Sequence, residues 1–330
     1  MTHSMLRLRS ASMVSKVEPS TFAQGHPERT KVSRRMRIIR SLEGMSKFSR
    51  KNRLRQKSIG LVATMGALHK GHLSLIRKAR QANDLVAVSI FINPVQFAPK
   101  EDFKKYPRDF RQDAVLCKKE GVDVIFYPDA NQMYPGQYKT FVYVSQLSGV
   151  LCGKSRPGHF RGVATVVLKL FNIIQPSVAY FGQKDAQQVI IIKKMARDLN
   201  LPVLIKVMPT VREKDGLAMS SRNEYLSSNE RKDAAVLFQA LKAAKALIKK
   251  GARSPNDIIR RMREIILKKK TARIDYISIR YLDSLNLVST LADKPEGSGL
   301  ASDSQSHKCL IALAVRIGKT RLIDNAVIKL

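Results

Sequence analysis

Ile59-Gly60-Leu61-Val62-Ala63-Thr64-Met65-Gly66-Ala67-Leu68-His69-Lys70-Gly71-His72 runs from an unbroken apolar segment into two imidazoles separated by Lys-Gly. Residues 59–64 read as a short buried strand. Residues 72–80, with Leu73, Ile76 and Ala79 on one side, read as an amphipathic helix. His69 and His72 then share one face of the first helical turn. The free N–H groups and positive dipole end of that turn favour an anion, and Gly71 has no Cβ to hold a phosphate off the backbone. Farther along, Met219-Ser220-Ser221-Arg222 offers two hydroxyls and a guanidinium. The two tracts together predict a two-sided clamp on a nucleoside triphosphate.

The strand–helix alternation continues outward from this stretch. A first strand is expected at Met36, with further strands at 85–92, 122–127, 178–181 and 203–207. Helices are expected at 109–120, 163–174 and 186–199. The segment at 85–92 is apolar almost throughout, as for a parallel strand covered on both faces. Such alternation implies an α/β fold, a Rossmann-like doubly wound parallel sheet whose ligands sit beyond the carboxyl ends of its strands. The tracts 69–72, 93–96 and 182–185 all fall at such ends. From about residue 226 the pattern changes. Helices at 229–250 and 254–270, strands at 274–282 and 309–317, and a Gly/Ser/Asp/Pro-rich loop at 292–307 describe a smaller α+β domain. In the 254–270 helix Ser254 is the expected N-cap and Pro255 the first helical residue. The expected organisation is a basic disordered extension over 1–35, a nucleotide-binding domain over 36–212 and a C-terminal lid domain over 213–330. The acid-poor extension also has the composition of a transit peptide, but a plain tail is the favoured reading.

The 330 residues carry a formal net charge of +34. Such an excess points first to nucleic acid or a membrane surface. However, the Lys and Arg residues are spread along polar helix faces, aromatic content is 6 % and Trp is absent. A stacking platform for single strands is therefore missing, and a specific nucleic-acid partner is not expected. No apolar run is long enough for a bilayer span. Cys117, Cys152 and Cys309 are far apart and lack any metal-ligand or disulfide spacing. A cytoplasmic enzyme fits these bounds.

Gly182-Gln183-Lys184-Asp185 lies at a strand-to-helix turn. Gly182 suits close backbone approach, Lys184 offers a point charge to a phosphate, and Asp185 can cap the helix or hold ribose hydroxyls. Gln96 and Gln188 are neutral amides able to bind a hydroxyl or a carboxylate. Arg156-Pro157-Gly158-His159 adds two possible anion contacts. A metal reading of the histidines lacks the HExxH carboxylate, and neither GxxxxGK[ST] nor GxGxxG occurs.

Seven tracts in order, TMGALHKGH (64–72), SIFINPVQF (89–97), YPR (106–108), RPGHF (156–160), FGQKDAQQ (181–188), REKDGLAMSSRN (212–223) and RLIDN (321–325), resemble the pantoate–β-alanine ligases of the HxGH nucleotidyltransferase superfamily. The resemblance runs from about Met36 to the C-terminus. It implies ATP-dependent condensation of pantoate with β-alanine through pantoyl adenylate, releasing AMP and diphosphate. It further implies an ATP site of Met65, Gly66, Ala67, Leu68, His69, Lys70, Gly71, His72, Gly182, Gln183, Lys184, Asp185, Val211, Met219, Ser220, Ser221 and Arg222. Within that site His72, His69 and Lys184 are the expected catalytic groups, with Gln96 and Gln188 on pantoate and Gln96 also on β-alanine. Phe91, Val166 and Val167 would pack the gem-dimethyl group. Magnesium is expected on the ATP phosphates, with Asp113 as an outer carboxylate, and the resemblance implies a homodimer. Ala63 stands where the family usually has Pro, and Ser177 where Asp is common. The competing readings are another HxGH adenylyl- or cytidylyltransferase, and an RNA-binding protein on the same scaffold.

Overall fold

Alternate residues of each central strand belong to opposite cores. The computed structural model describes residues 35–291 and 308–329, apart from Lys100 and Lys104; the expected 1–35 extension, but for Arg35, and the 292–307 loop lie outside them. The strands of the first sheet are β1 (Arg37–Ile39), β2 (Ile59–Thr64), β3 (Leu85–Ile90), β4 (Val124–Phe126), β5 (Val178–Gly182) and β6 (Leu204–Met208). The helices among them are α1 (Leu42–Arg53), α2 (Lys70–Ala82), α3 (Phe110–Lys119), the short α4 (Ala130–Met133) and α5 (Cys152–Ser155), α6 (His159–Ile174) and α7 (Ala186–Asp198). Ile59, Leu61, Ala87, Phe126 and Phe181 pack with α1, α6 and α7, whereas Val62, Val86, Val88, Ile125 and Tyr180 pack with α2 and α3. Strands buried on both faces have no polar side to show, hence the continuous apolar runs.

All six strands are parallel, in the order β1-β4-β3-β2-β5-β6. The chain winds outward from β2 through β3 to β4, then returns to place β5 against the other side of β2. The order therefore reverses between β2 and β5, and a doubly wound sheet opens a crevice beyond the carboxyl ends at that point.

The C-terminal part contains α8 (Ser228–Ala234), α9 (Val236–Lys249), α10 (Pro255–Leu267) and an antiparallel sheet of β7 (Ala272–Tyr281), β8 (Lys308–Ile317) and β9 (Thr320–Lys329). Cys309, Ile311, Leu313 and Val315 of β8 pack on α9 and α10, while Leu310 and Ala312 join the core of the first sheet. β8 thus belongs to two cores. Ser254 caps α10 through the Asp257 N–H, with Pro255 leading the helix. The expected single helix over 229–250 is two helices, broken at Ala235, whose ψ of −17° tightens the turn. Helix α1 and strand β9 are absent from the sequence expectation. In α1 the buried positions are Met45, Ser49 and Asn52, with Leu42 and Phe48 half-buried against the same core, so polar residues interrupt its apolar stripe. Strand β9 buries Asp324 and Asn325, which interrupt the apolar alternation. No described helix is long and apolar enough to cross a membrane.

Candidate active site

The loop from β2 into α2 is shaped by side chains gripping backbone. Thr64 Oγ1 donates to Ser89 O at 2.8 Å and accepts the Gly66 N–H at 3.2 Å. Gly66 (φ +85°) and Ala67 (φ +50°) are both left-handed. The carboxylate of Asp113, almost fully buried on α3, accepts the N–H groups of Ala67 and Leu68 at 3.0 and 2.8 Å. Asp113 therefore fixes this loop, and it does not line the cavity in which a metal is expected. Gly66, Ala67 and Leu68 shape the loop but do not line the cavity, and Lys70 is exposed.

His69 is the N-cap of α2. Its Nδ1 accepts the Gly71 N–H at 3.1 Å, and the Nδ1 of His72 accepts the His69 N–H at 3.4 Å, a reciprocal capping box. Both tautomers follow: Nδ1 is the acceptor in each ring, so the proton sits on Nε2. The rings stack with centroids 4.1 Å apart. Burial, then the charge of Lys184, pushes His69 down to about 4, and burial, His69 and Lys184 push His72 well below the ordinary histidine value. Both are neutral N–H donors at neutral pH. Gly71 lines the cavity, and its backbone also serves the cap. Its N–H is taken by His69, and a Cβ would lie 2.8 Å from His69 Cε1, so the glycine makes room for a ring folded back over the helix start.

The second tract arrives on a hairpin in which Met219 N donates to Val211 O at 3.0 Å. A Cβ on Gly71 would stand 3.9 Å from Met219 Cβ, so the two tracts face each other across one cavity. That cavity has a volume of about 220 Å³ and is lined by Met65, His69, Gly71 and His72 on one side and by Val211, Met219, Ser220, Ser221 and Arg222 on the other. Gly182, Lys184 and Asp185 come to it from the end of β5, Gln96 from the turn after β3 and Gln188 from α7. Phe91, Val166 and Val167 supply an apolar wall. Arg156, His159, Lys184, Gln188, Ser220 and Arg222 also border a larger cleft of about 1370 Å³, so the inner cavity opens into it.

Gln183 is the remaining predicted residue that does not line the inner cavity. Its Nε2 donates to Asn325 Oδ1 at 3.0 Å, while Asn325 Nδ2 donates to the carbonyls of Gln183 and Lys184 at 2.9 Å each. Asn325 on β9 thereby fixes the turn that carries Lys184. Its neighbour Asp324 is held by Arg212, with Nη1–Oδ2 at 2.6 Å and Nη2–Oδ1 at 3.0 Å. The RLIDN tract signals these residues, although not their partners. Asp185 makes no side-chain cap to α7; it lies 3.5 Å from Lys184 Nζ. It is also the sole carboxylate among the described residues lining the inner cavity. Among the described residues no group of three His, Cys, Asp or Glu is placed to hold a metal.

The amide of Gln96 has a fixed orientation. Asn93 Nδ2 donates to Gly162 O and to Gln96 Oε1, both at 3.1 Å, so the Gln96 oxygen faces Asn93 and its Nε2 lies 2.9 Å from Met65 Sδ. The cavity therefore meets an N–H donor, suited to a hydroxyl or carboxylate oxygen. Tyr106 meets Ser221 Oγ at 3.4 Å, and burial raises its pKa.

A family model described as Pantoate-beta-alanine ligase matches residues 37–327. The chain is similar to the pantothenate synthetase of Caldicellulosiruptor bescii, with 53 % identity over 89 % of this chain and 99 % of the relative. It is equally similar to that of Heliobacterium modesticaldum, with 53 % identity over 89 % of this chain and 100 % of the relative. The crystal structure of pantothenate synthetase from Thermus thermophilus superposes with a TM-score of 0.80 at 39 % identity, covering 88 % of this chain and 99 % of that one. The pantoate-beta-alanine ligase of Francisella tularensis, complexed with beta-gamma ATP and beta-alanine, superposes with a TM-score of 0.69 at 33 % identity over 89 % and 98 % of the two chains. With its sheet, its paired histidines and its sequence all in agreement, the chain belongs to the pantoate–β-alanine ligase family.

Proposed function

We propose that the described cavity carries out the family's ATP-dependent ligation on pantoate and β-alanine, with residues 213–330 acting as a lid domain over a nucleotide-binding domain of 36–212. A pantoate carboxylate oxygen attacks the α-phosphorus of ATP, and the bond to diphosphate breaks. The amine nitrogen of β-alanine then attacks the acyl carbon, and AMP leaves. A free carboxylate is a poor acyl donor, whereas the mixed anhydride has a good leaving group.

The Nε2–H groups of His69 and His72 would donate to phosphoryl oxygens as charge builds, with Lys184 as a fixed positive charge. Ser220, Ser221 and Arg222 would hold the phosphates from the facing wall. Gln96 Nε2 and Gln188 would hold pantoate, its methyl groups against Phe91, Val166 and Val167, and Gln96 would also serve β-alanine. Magnesium would come with the triphosphate as part of the substrate, with phosphate oxygens and at most Asp185 around it, because such an ion keeps several waters. Enclosure between the two sheets would keep the anhydride from water. A cytoplasmic homodimer completes the proposal and rests on family membership.

The observation that carries this reading is the meeting of the His69–His72 turn with Met219–Arg222 across one cavity. Rapid-quench measurement of diphosphate and AMP tests it. Pantoate and ATP alone should yield one equivalent of diphosphate with AMP still bound as pantoyl adenylate, and β-alanine should release AMP as pantothenate forms. Steady diphosphate release that β-alanine does not accelerate, with no amide formed from the pantoate, would refute it.

A further inference from the structure

In the cavity wall, a half-buried histidine outside the two clamp tracts holds the main chain of Gln96. His159 is the first residue of α6, entered through Gly158 at φ +80°. Its Nδ1 lies 2.8 Å from the backbone oxygen of Gln96, and its Nε2 lies 3.0 Å from Arg156 Nη1. A guanidinium can only donate, so Nε2 is the acceptor and the ring proton sits on Nδ1, where the Gln96 carbonyl receives it. The Arg156 guanidinium is itself fixed: its Nε and Nη2 each meet a Glu101 oxygen at 2.6 Å. A single hydrogen-bonded line runs from Glu101 through Arg156 and His159 to the Gln96 carbonyl.

Gln96 needs such a hold. Its short helical turn closes on two long bonds, Gln96 N to Asn93 O at 3.4 Å and Phe97 N to Pro94 O at 3.2 Å, and Pro94 within that turn has no N–H to contribute. Asn93 fixes the oxygen end of the Gln96 side chain, but the direction in which that side chain leaves the backbone is set by the peptide that His159 grips. Burial and the charge of Arg156 hold His159 down to about 4, so the imidazole stays in its neutral state near neutral pH.

We infer that His159 is a positioning residue that acts through the Gln96 backbone carbonyl, aiming the Gln96 amide at the acid substrate. The inference rests on Gln96 binding pantoate, as proposed above. Asparagine and glutamine separate the two nitrogens of the ring: the amide of Asn reaches the place of Nδ1, and that of Gln the place of Nε2. Steady-state kinetics of His159→Asn, His159→Gln and Gln96→Ala test it, with pantoate and ATP varied separately.

His159→Asn should keep the bond to Gln96 and leave the KM for pantoate within about threefold of wild type, whereas His159→Gln should lose that bond and raise it by about tenfold or more. The KM for ATP should change by less than about twofold in both. If the Asn and Gln variants behave alike, whether both near wild type or both inactive, the assignment is wrong. A joint rise in both KM values equally overturns it, since that marks general loosening of the site. Gln96→Ala distinguishes the underlying reading: an unchanged pantoate KM in that variant removes Gln96 from the pantoate site altogether. A raised pantoate KM there, with no Asn–Gln difference at 159, defeats this inference alone.

Discussion

Asp102 and Arg222 are joined by two parallel bonds, Nε to Oδ2 at 2.9 Å and Nη2 to Oδ1 at 3.0 Å, which tie the segment after Gln96 to the serine–arginine loop. Burial alone would raise the Asp102 pKa, but the Arg222 bonds and charge overcome it and hold the carboxyl below its ordinary value. In this arrangement a carboxylate occupies the guanidinium that the proposed site offers to phosphate. Nucleotide must compete for it. Asp102→Asn should lower the KM for ATP by roughly two- to fivefold, the scale of a partly exposed pair. Arg222→Ala should raise it by about tenfold or more. Initial rates with ATP varied distinguish this from a fixed strut, for which both changes would raise the KM.

His72, in the first turn of α2, and Lys184, in the turn after β5, both line the cavity, and in the proposed site each supplies a donor where charge develops. His72→Ala and Lys184→Ala should each slow adenylate formation by at least about a hundredfold, the usual cost of deleting such a donor. Single-turnover diphosphate release measures the step directly. Normal rates in both variants would remove these residues from the chemistry.

The neutral state of the histidine pair has a sign that pH can read. His69 is pushed down to about 4 and His72 well below its ordinary value, so neither takes a proton as pH falls through 6.5. The single-turnover rate at saturating ATP should stay flat from pH 7 to about 5, and an acid limb centred near 6.5 would contradict the assignment. Stability moves differently. Unfolded histidines bind protons near 6.5 and the folded ones do not, so the unfolded state gains protons first and stability falls as pH drops from about 6.5 towards 4. Denaturant midpoints across that window should decline, and less so in His69→Gln.

Asp113 is the anchor of the left-handed Gly66–Ala67 turn. Burial raises its pKa, and the N–H groups of Leu68 and Ala67 pull it back. Asp113→Asn presents an NH₂ to one of two N–H donors and leaves that donor unpaired. The change should cost about 1.5–3 kcal/mol in thermal unfolding, as for hydrogen bonds to charged groups. It should also weaken ATP binding without touching any residue that lines the inner cavity. A melt indistinguishable from wild type would show that the turn holds itself.

The parallel sheet is legible in the sequence because its strands, covered on both sides, read as plain apolar runs, and because HKGH and MSSR carry recognisable donor chemistry. Other features are hidden for equally physical reasons. Helix α1 buries Ser49 and Asn52 beside Met45, Leu42 and Phe48, so polar residues interrupt its apolar face. Strand β9 spends two buried positions on Asp324 and Asn325, whose partners Arg212 and Gln183 lie 112 and 142 residues away. The spacing of two histidines does not reveal that one ring will cap its own helix, over a glycine whose Cβ would crowd it. What a local pattern cannot encode is a side chain reserved for a distant backbone, and the Asn325 and His159 contacts are both of that kind.

Gly162 sets two principles against each other. It lies inside α6, where alanine is the better helix former by about 1 kcal/mol, so propensity alone makes Gly162→Ala stabilising. Yet an added Cβ would stand 2.5 Å from Val95 O, 2.6 Å from Val95 C and 2.7 Å from Gln96 Cα. These are backbone atoms and cannot rotate aside. Either α6 retreats or the 94–96 turn shifts, and the bond from Asn93 to the Gly162 carbonyl goes with it. Overpacking of this kind costs roughly 1–3 kcal/mol, which outweighs the gain in propensity. Gly162→Ala should therefore melt below wild type and raise the KM for pantoate more than that for ATP, because the displaced turn is the one that presents Gln96. Calorimetry with parallel kinetics decides the sign: a higher melting temperature with unchanged pantoate KM would mean that the close approach of α6 to the Gln96 turn has no part in holding the site.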